Sequence, residues 1–574
     1  MTDVRGGALA GASPRTAATD GAVPARRRRF GRGGGWTLAA LVIAGLVLLP
    51  ILTIALTAVA SRGDLWSHVW VYVLPQATRT TLTLLLGTGI IVTVVGTGAA
   101  WLVTAYDFRG RGVLEWALLL PLAVPTYVMA YAYMDVLSPL GPVQGAIRAV
   151  LGYSSPREFR LPDIRAMWGC ILVFGFVLYP YVYLTTRAMF LTQAANLVEV
   201  SRTLGTRRAA IFWRVALPLA RPAIAVGVSL ALMEALNDIG AAQFLGVRTL
   251  TASVYTTWII RTDLPGAAQI AMAMLVFVVA LILVERWARR NQRYAHSAQR
   301  AQTMRPVRLR GARALLAFAC GSLPIVIGFL GPALYLAIAA ARRVQFAGVS
   351  PQIWRAALNT VSVSALATLV ALAAGFAVVY AARLRPGAAA AALPRIAALG
   401  YAVPGTVLAI GILVPVAAFD RFVDQAARQW LGVSVGLLIL GSGGALVYAY
   451  AARFLAVASG AIEAGLSRVP LSYDHAARTL GQSATGTLLR VHLPLSRAAL
   501  VSGGLLVFVD CMKELPATLL LRPLNFESLA TLLYGEAVRG TYEEAAIAAV
   551  LIVAIGILPV ILLAGAGRPA RRPG

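Results

Sequence analysis

The chain has 574 residues, of which 59% are hydrophobic and only 13% charged, against about 25% charged in soluble globular domains. That balance excludes a water-soluble protein. The net charge of +28 does not read as a nucleic-acid surface. Its arginines cluster in short segments between apolar runs, as at Arg26 to Arg29, Arg109, Arg111 and residues 286–313, the pattern of cytoplasmic loops beside membrane spans, and no basic groove with interleaved aromatics accompanies them.

In chain order, residues 1–36 read as a disordered cytoplasmic tail, Ala/Gly/Thr-rich to about Pro24 and without apolar periodicity. The apolar run after Arg26 to Arg29 exceeds the roughly 7–15 residues of a signal-peptide core, so an uncleaved span is expected over 37–60. Runs of about 20 apolar residues, the length that crosses the hydrocarbon core, place further spans near 80–106, 113–135, 167–190, 222–246 and 266–284. A second set lies near 315–340, 360–382, 394–418, 433–457, 497–521 and 544–566. The fold class is therefore all-α, a polytopic membrane protein of about twelve helices. Arginine placement puts both termini in the cytoplasm, with Arg342 and Arg343 as a local exception.

The chain repeats itself. The segment Glu199 to Gly205, E-V-S-R-T-L-G, recurs as H-A-A-R-T-L-G at His475 to Gly481, and V-A-L-P-L from Val215 recurs as V-H-L-P-L from Val491. Pro218 and Pro494 are 276 residues apart (494 minus 218), and the same shift pairs Glu234 with Asp510 and Asp238 with Glu514. An A-V-P at Ala123 to Pro125 returns at Ala402 to Pro404, a few residues out of phase. Six spans separate the copies, so two parallel six-helix repeats are expected, over 37–284 and 315–574, joined by an Arg-rich cytoplasmic linker at 285–314.

Each repeated loop runs from an acid or histidine through a glycine to Leu-Pro at constant spacing. A glycine after a helix makes a sharp turn without steric penalty, so Thr206 to Arg214 and Gln482 to Arg490 are expected to project as short helical knobs, with Pro218 and Pro494 setting entry into the next span. This spacing resembles the EAA loop of ABC-importer permeases. The first copy departs from that pattern at Val200 and Ser201, the second at His475. The resemblance implies that Glu199, Gly205, Leu217 and Pro218 in one loop, and His475, Ala476, Gly481, Leu493 and Pro494 in the other, dock a separate ATPase, expected as a homodimer, and transmit its movement. No Walker A motif is present: the one lysine, Lys513, has no glycine before it and no Ser/Thr after it. ATP hydrolysis is thus assigned to the partner, and the chain is read as a transport subunit and not an enzyme.

Three longer stretches, from Leu120, Gly400 and Asp510, resemble the iron(III)-transport permeases in particular, so that the likeness covers about Thr80 to Glu544. It implies a ferric-iron importer of the bacterial inner membrane, served by a periplasmic or lipid-anchored binding protein. Thiamine and 2-aminoethylphosphonate permeases share the two-lobed plan, and a proton-coupled secondary transporter of two parallel halves is the rival from another class.

Within the spans, Glu234, Asp238, Asp510 and Glu514 stand out because ionisable groups are costly there and face a path or one another. Each pair is spaced i, i+4, on one helical face. Two readings stand side by side: the four line one central path and offer oxygens to a hard cation, or they pair with Lys513, Arg248 or Arg522 or cap re-entrant backbone near Pro516; Lys513 beside Glu514 favours pairing in the second half. Pro125 and Pro404 are expected to kink helices, near the path or simply in packing. Cys170, Cys320 and Cys511 and the four scattered histidines show no metal-ligating spacing. No cofactor and no resident metal are expected.

Overall fold

The computed structural model describes residues 34–60, 65–192, 201, 203, 205–289, 306–385 and 387–566. Apart from a two-residue parallel pairing of Tyr106–Asp107 with Val307–Arg308, the described chain is helical. Eleven helices among the described residues are long and apolar enough to span a bilayer, or twelve if one bent pair counts as a single span. Their outward faces carry bare Leu, Val, Ile and Phe side chains along their length, such as Leu86, Ile90 and Val94 on one helix. Those faces suit lipid and not water.

Several expected spans differ from the structure, each for a local reason. The run 113–135 is a pair, Arg111–Ala123 and Thr126–Val136, bent by 92°. Proline at 125 drives Val124 into extended backbone (φ −105°, ψ 120°), as a following proline does. Its counterpart Pro404 does the same to Val403, so 394–418 is likewise interrupted and the long helix starts at Gly405. The run 433–457 is helical only from Gly444. The segment before it loops back, its Ile439 and Leu440 amides donating to the buried Asp420 carboxylate at 3.0 Å. The runs 222–246 and 497–521 each break inside: helices end at Asn237 and Met512, and short helices Gly240–Phe244 and Pro516–Leu521 follow.

Matching bonds recur in the two halves. The Leu250 amide donates to Thr81 Oγ1 at 2.9 Å, and the Leu529 amide to Thr360 Oγ1 at 2.8 Å. Residue 81 to 360 and residue 250 to 529 are the same shift of 279, three more than across the acids: the second half is three residues shorter somewhere between Thr360 and Pro494, and the stretch from Glu514 to Leu529 is three residues longer than that from Asp238 to Leu250, which restores the shift.

The first helix of each half packs across the other half. Gly34–Ala60 lies against Gly405–Leu431 and Pro351–Leu384, while Ala312–Ala347 lies against Thr126–Val136 and the helix pair beside it. Tyr448 donates to the Leu46 carbonyl and Tyr133 to the Ile327 carbonyl, both at 2.6 Å. At Gly411 the backbone of Pro50 comes so close that a Cβ would overlap it. This exchange ties the halves together through one extended core to which both contribute, beside a smaller cluster around Tyr380, Ile462 and Leu488 in the second half.

Candidate functional site

The four helix breaks meet. Pro125, Asp238 and the Lys513–Glu514 turn line a cavity of about 110 Å³ to which both halves contribute, the break at Pro404 adjoins it through the Gly405 amide on Asn237, and all four acids singled out in the sequence, Glu234, Asp238, Asp510 and Glu514, line it. Arg453, which the sequence reading did not single out, lines it too. Its helix, Gly444–Leu466, is apolar enough to span, and a lone arginine facing the interior of such a helix is the signal that points to it.

The acids are not equivalent. Asp238 accepts a hydrogen bond from the Ala241 amide at 2.7 Å and another from the Thr126 hydroxyl, so it caps the short helix Gly240–Phe244. Glu514 does the same for Pro516–Leu521, accepting from the Ala517 amide at 3.1 Å and the Thr518 amide at 3.2 Å. Side-chain oxygens at these positions satisfy amides that a helix start leaves without partners. Glu514 also receives Arg453 Nη1 at 3.0 Å, whereas Lys513 bonds Asp510 at 2.8 Å and not its neighbour Glu514. Arg522 pairs with Glu527 outside the chamber. Glu234 has the Tyr401 hydroxyl as donor at 3.1 Å. Four carboxylates face two cations, so the chamber's charged forms sum to two negative charges.

The halves are stitched together here. Asn237 Oδ1 accepts from the Gly405 amide at 2.6 Å and from Arg453 at 3.1 Å, and Tyr127 donates to the Lys513 carbonyl at 3.3 Å. Gly405 has to lack a side chain, because a Cβ there would run into the Arg453 guanidinium and the Glu514 carboxylate.

The repeated loops lie far from this chamber along the chain, at the starts of the helices that end in it. Glu199 lies outside the described residues. Gly205 takes φ +76° and Gly481 φ +77°, the left-handed turn that favours glycine. In the second loop the helix Leu471–Thr479 ends with Gln482 N bonding the Ala477 carbonyl at 2.9 Å, and Ser483 caps Ala484–Thr487. His475, Ala476, Leu493 and Pro494 are exposed, and Leu217 and Pro218 half-buried. The knobs are not separate helices. Each runs into its span through a π-helical turn, Phe212–Ala216 and Leu488–His492, so Pro218 and Pro494 sit within continuous helix. The helix therefore runs unbroken from each loop to the chamber wall.

Asp474, one residue before the motif histidine, was also missed. It is buried between Arg383 (2.6 Å) and His492 (2.9 Å), while Arg383 also donates to the Leu466 and Val469 carbonyls. Burial pushes its carboxyl up, but the hydrogen bonds and charges of Arg383 and His492 outweigh this and hold it below the ordinary carboxylate range. The available signal was periodicity: Asp474 and Ala477 share the buried face of a helix that leaves His475 and Ala476 outside.

Residues 92–294 match the family model of the binding-protein-dependent transport system inner membrane component. The chain is 23% identical over 535 residues to the Fe(3+)-transport system permease protein FbpB 2 of Haemophilus influenzae, covering 92% of this chain and 97% of that protein. It is 25% identical over 528 residues to a probable ABC transporter permease, y4fN, of Sinorhizobium fredii, covering 88% and 87%. The molybdenum transport system permease protein ModB of Mycobacterium tuberculosis is 29% identical over 255 residues, 42% of this chain but 89% of its own length.

Proposed function

Since the chain belongs to the inner-membrane permease components of binding-protein-dependent transport systems, we propose that it is the fused, two-lobed permease subunit of an ABC importer that carries ferric iron. A binding protein delivers the cargo on one side, a separate ATPase, taken as a homodimer, grips the loops around Gly205 and Gly481 on the other, and both termini lie on the ATPase side. ATP binding draws the loops together. The continuous helices from those loops then move the breaks at Asp238 and Glu514, and the central chamber switches its opening from one face to the other.

The observation that carries this reading is the chamber itself: four carboxylates from both halves around one cavity, with two negative charges in excess. Glu234 and Asp510 are the path residues, since Asp238 and Glu514 are taken up as helix caps. Carboxylate and phenol oxygens are hard donors that suit a hard cation in passage. The full-length likeness to an Fe(3+)-transport permease supports the same cargo. A second reading, an oxyanion, is favoured by Lys513 and Arg453 in the chamber and by the likeness to a molybdenum permease.

The test is uptake into cells expressing the chain with its ATPase and binding protein, using labelled ferric iron, molybdate, sulfate, thiamine and 2-aminoethylphosphonate. ATP-dependent accumulation of iron alone supports the proposal. Accumulation of another label keeps the permease and replaces the cargo; uptake without the ATPase, driven by a proton gradient, replaces the mechanism.

A further inference from the structure

A larger cavity, about 470 Å³, opens at the end of the first half remote from the Gly205 loop. One wall is the start of Val69–Ala105, a helix whose other end reaches the strand Tyr106–Asp107; the other is Leu250–Ile260, tied to it by the Leu250–Thr81 bond. His68, Tyr72, Gln76, Arg248, Ser253 and Arg261 line it. Arg248 and Arg261 are exposed, and neither has a carboxylate partner among the described residues. Two guanidiniums, an imidazole and hydroxyl and amide donors around one open cup form a site for a carboxylate or similar oxyanion.

The same place in the second half is built differently. A shift of 279 residues sets Glu527 where the first half has Arg248, Glu536 where it has Thr257, and Gly540 where it has Arg261. Three ion pairs lie in and around it, Arg343 with Glu544 at 2.8 Å, Arg522 with Glu527 at 2.8 Å, and Arg539 with Glu536; Arg355, which stands where the first half has Gln76, is exposed with no carboxylate partner among the described residues, and the cavity, lined by Glu536 and Glu544, shrinks to about 120 Å³. The walls differ as well. Both walls of the first cup carry a π-turn, Val69–Val73 and Thr256–Ile260, whereas Pro351–Leu384 and Leu529–Arg539 are plain α-helix. Inserted π-turns widen a helix locally and are frequent at functional sites.

We propose that this cup seats an acidic side chain of the delivering binding protein, and that its smaller, carboxylate-lined counterpart seats none, so the binding protein docks in one orientation only. The inference rests on the permease reading. A carboxylate from a folded partner is favoured over a free anion because the cup is open at the cargo-delivery face and is much larger than a lone oxyanion needs. The asymmetry then tells the two lobes of a partner apart through charge complementarity.

The experiment uses the chain assembled with its ATPase in lipid nanodiscs, in neutral and in anionic lipid, with immobilised cargo-loaded binding protein. Charge reversal, Arg248→Glu with Arg261→Glu, is expected to weaken binding at least about tenfold and to flatten its salt dependence in both lipids. Glu527→Gln changes affinity less than about twofold. The neutral pair Arg248→Gln with Arg261→Gln, checked for intact assembly by size-exclusion elution, gives an intermediate loss and guards against misfolding. Unchanged affinity in the reversal variant overturns the proposal. So does a loss confined to anionic lipid, which would make the cup a lipid-headgroup site. If the unaltered complex binds no binding protein at all, the permease reading itself fails, and that outcome is distinct from a failure of the cup.

Discussion

Asn237 and Arg453 come from opposite halves of the chain and meet at 3.1 Å, beneath the Glu514 carboxylate that Arg453 also bonds at 3.0 Å. The contact makes the chamber wall a shared object: neither half can rotate away without uncovering a buried guanidinium. Replacing Arg453 by Met leaves Glu514 buried without its cation, which costs on the order of 3 kcal/mol. A clear fall in the detergent melting temperature is expected. Adding Glu514→Gln to Arg453→Met removes the stranded charge, so the double variant should recover most of the loss, and a melt of the four proteins checks the cycle.

The chamber acids separate into two classes that behave differently on substitution. Glu234→Gln touches no helix cap and no ion pair, so protein yield and melting temperature should stay near those of the parent while uptake per assembled complex falls about tenfold or more; Asp510→Asn spares the caps too but takes the counter-ion from Lys513, so a small fall in melting temperature accompanies its loss of uptake. Asp238→Asn and Glu514→Gln weaken caps worth about 1 kcal/mol each, so for these yield and thermal stability should fall along with uptake. Uptake normalised to complex recovered by affinity tag distinguishes the classes.

At Gly481 nothing lies within 4 Å of where a Cβ would stand, so any cost of substitution is backbone strain and not a clash. With φ at +77°, valine is penalised by about 1–3 kcal/mol and asparagine by much less, since asparagine tolerates the left-handed region. The ATPase should therefore be retained on Gly481→Asn and lost on Gly481→Val, by co-purification, with expression similar for both. Gly205, at φ +76° and equally open, should follow the same order.

Much of this architecture was legible beforehand, and the gaps have physical causes. Apolar run length and the doubled Gly-to-Leu-Pro spacing located the spans and both loops, because those signals are local in the chain. The reading that the acids cap re-entrant backbone near Pro516 holds for Glu514, but the break at Asp238 was hidden, since the flanking residues are as apolar as any span and the capping bond involves an amide three residues on. The loop before Gly444 was hidden because the group that holds it, Asp420, sits about 20 residues upstream. The crossing of Gly34–Ala60 onto the other half could not be read, as hydropathy names no partner. Arg248, weighed as a counter-ion for the intramembrane acids, faces a different cavity altogether.

The second loop is anchored by a charge, which gives it a pH dependence with a defined sign. The Asp474 carboxyl is held below the ordinary range by Arg383 and His492, so its folded pKa is lower than its unfolded one, near 3.9. A depressed carboxylate contributes stability that is fully present above the unfolded value and is lost as pH falls through the folded value. At neutral pH, Asp474→Asn should therefore loosen the segment from Leu466 to Val469, whose carbonyls Arg383 holds, and speed proteolysis between residues 467 and 492. Amide exchange by mass spectrometry in that segment reads the same change across pH. The gap between variant and parent should be constant from pH 7 down to about 5 and should close in strong acid, below about pH 3, where the parent also becomes protonated. A gap that had already closed by about pH 5 would show that Asp474 is not held in its charged form, and the anchor would then have to be the Tyr380 hydroxyl on the Ala484 carbonyl at 2.6 Å.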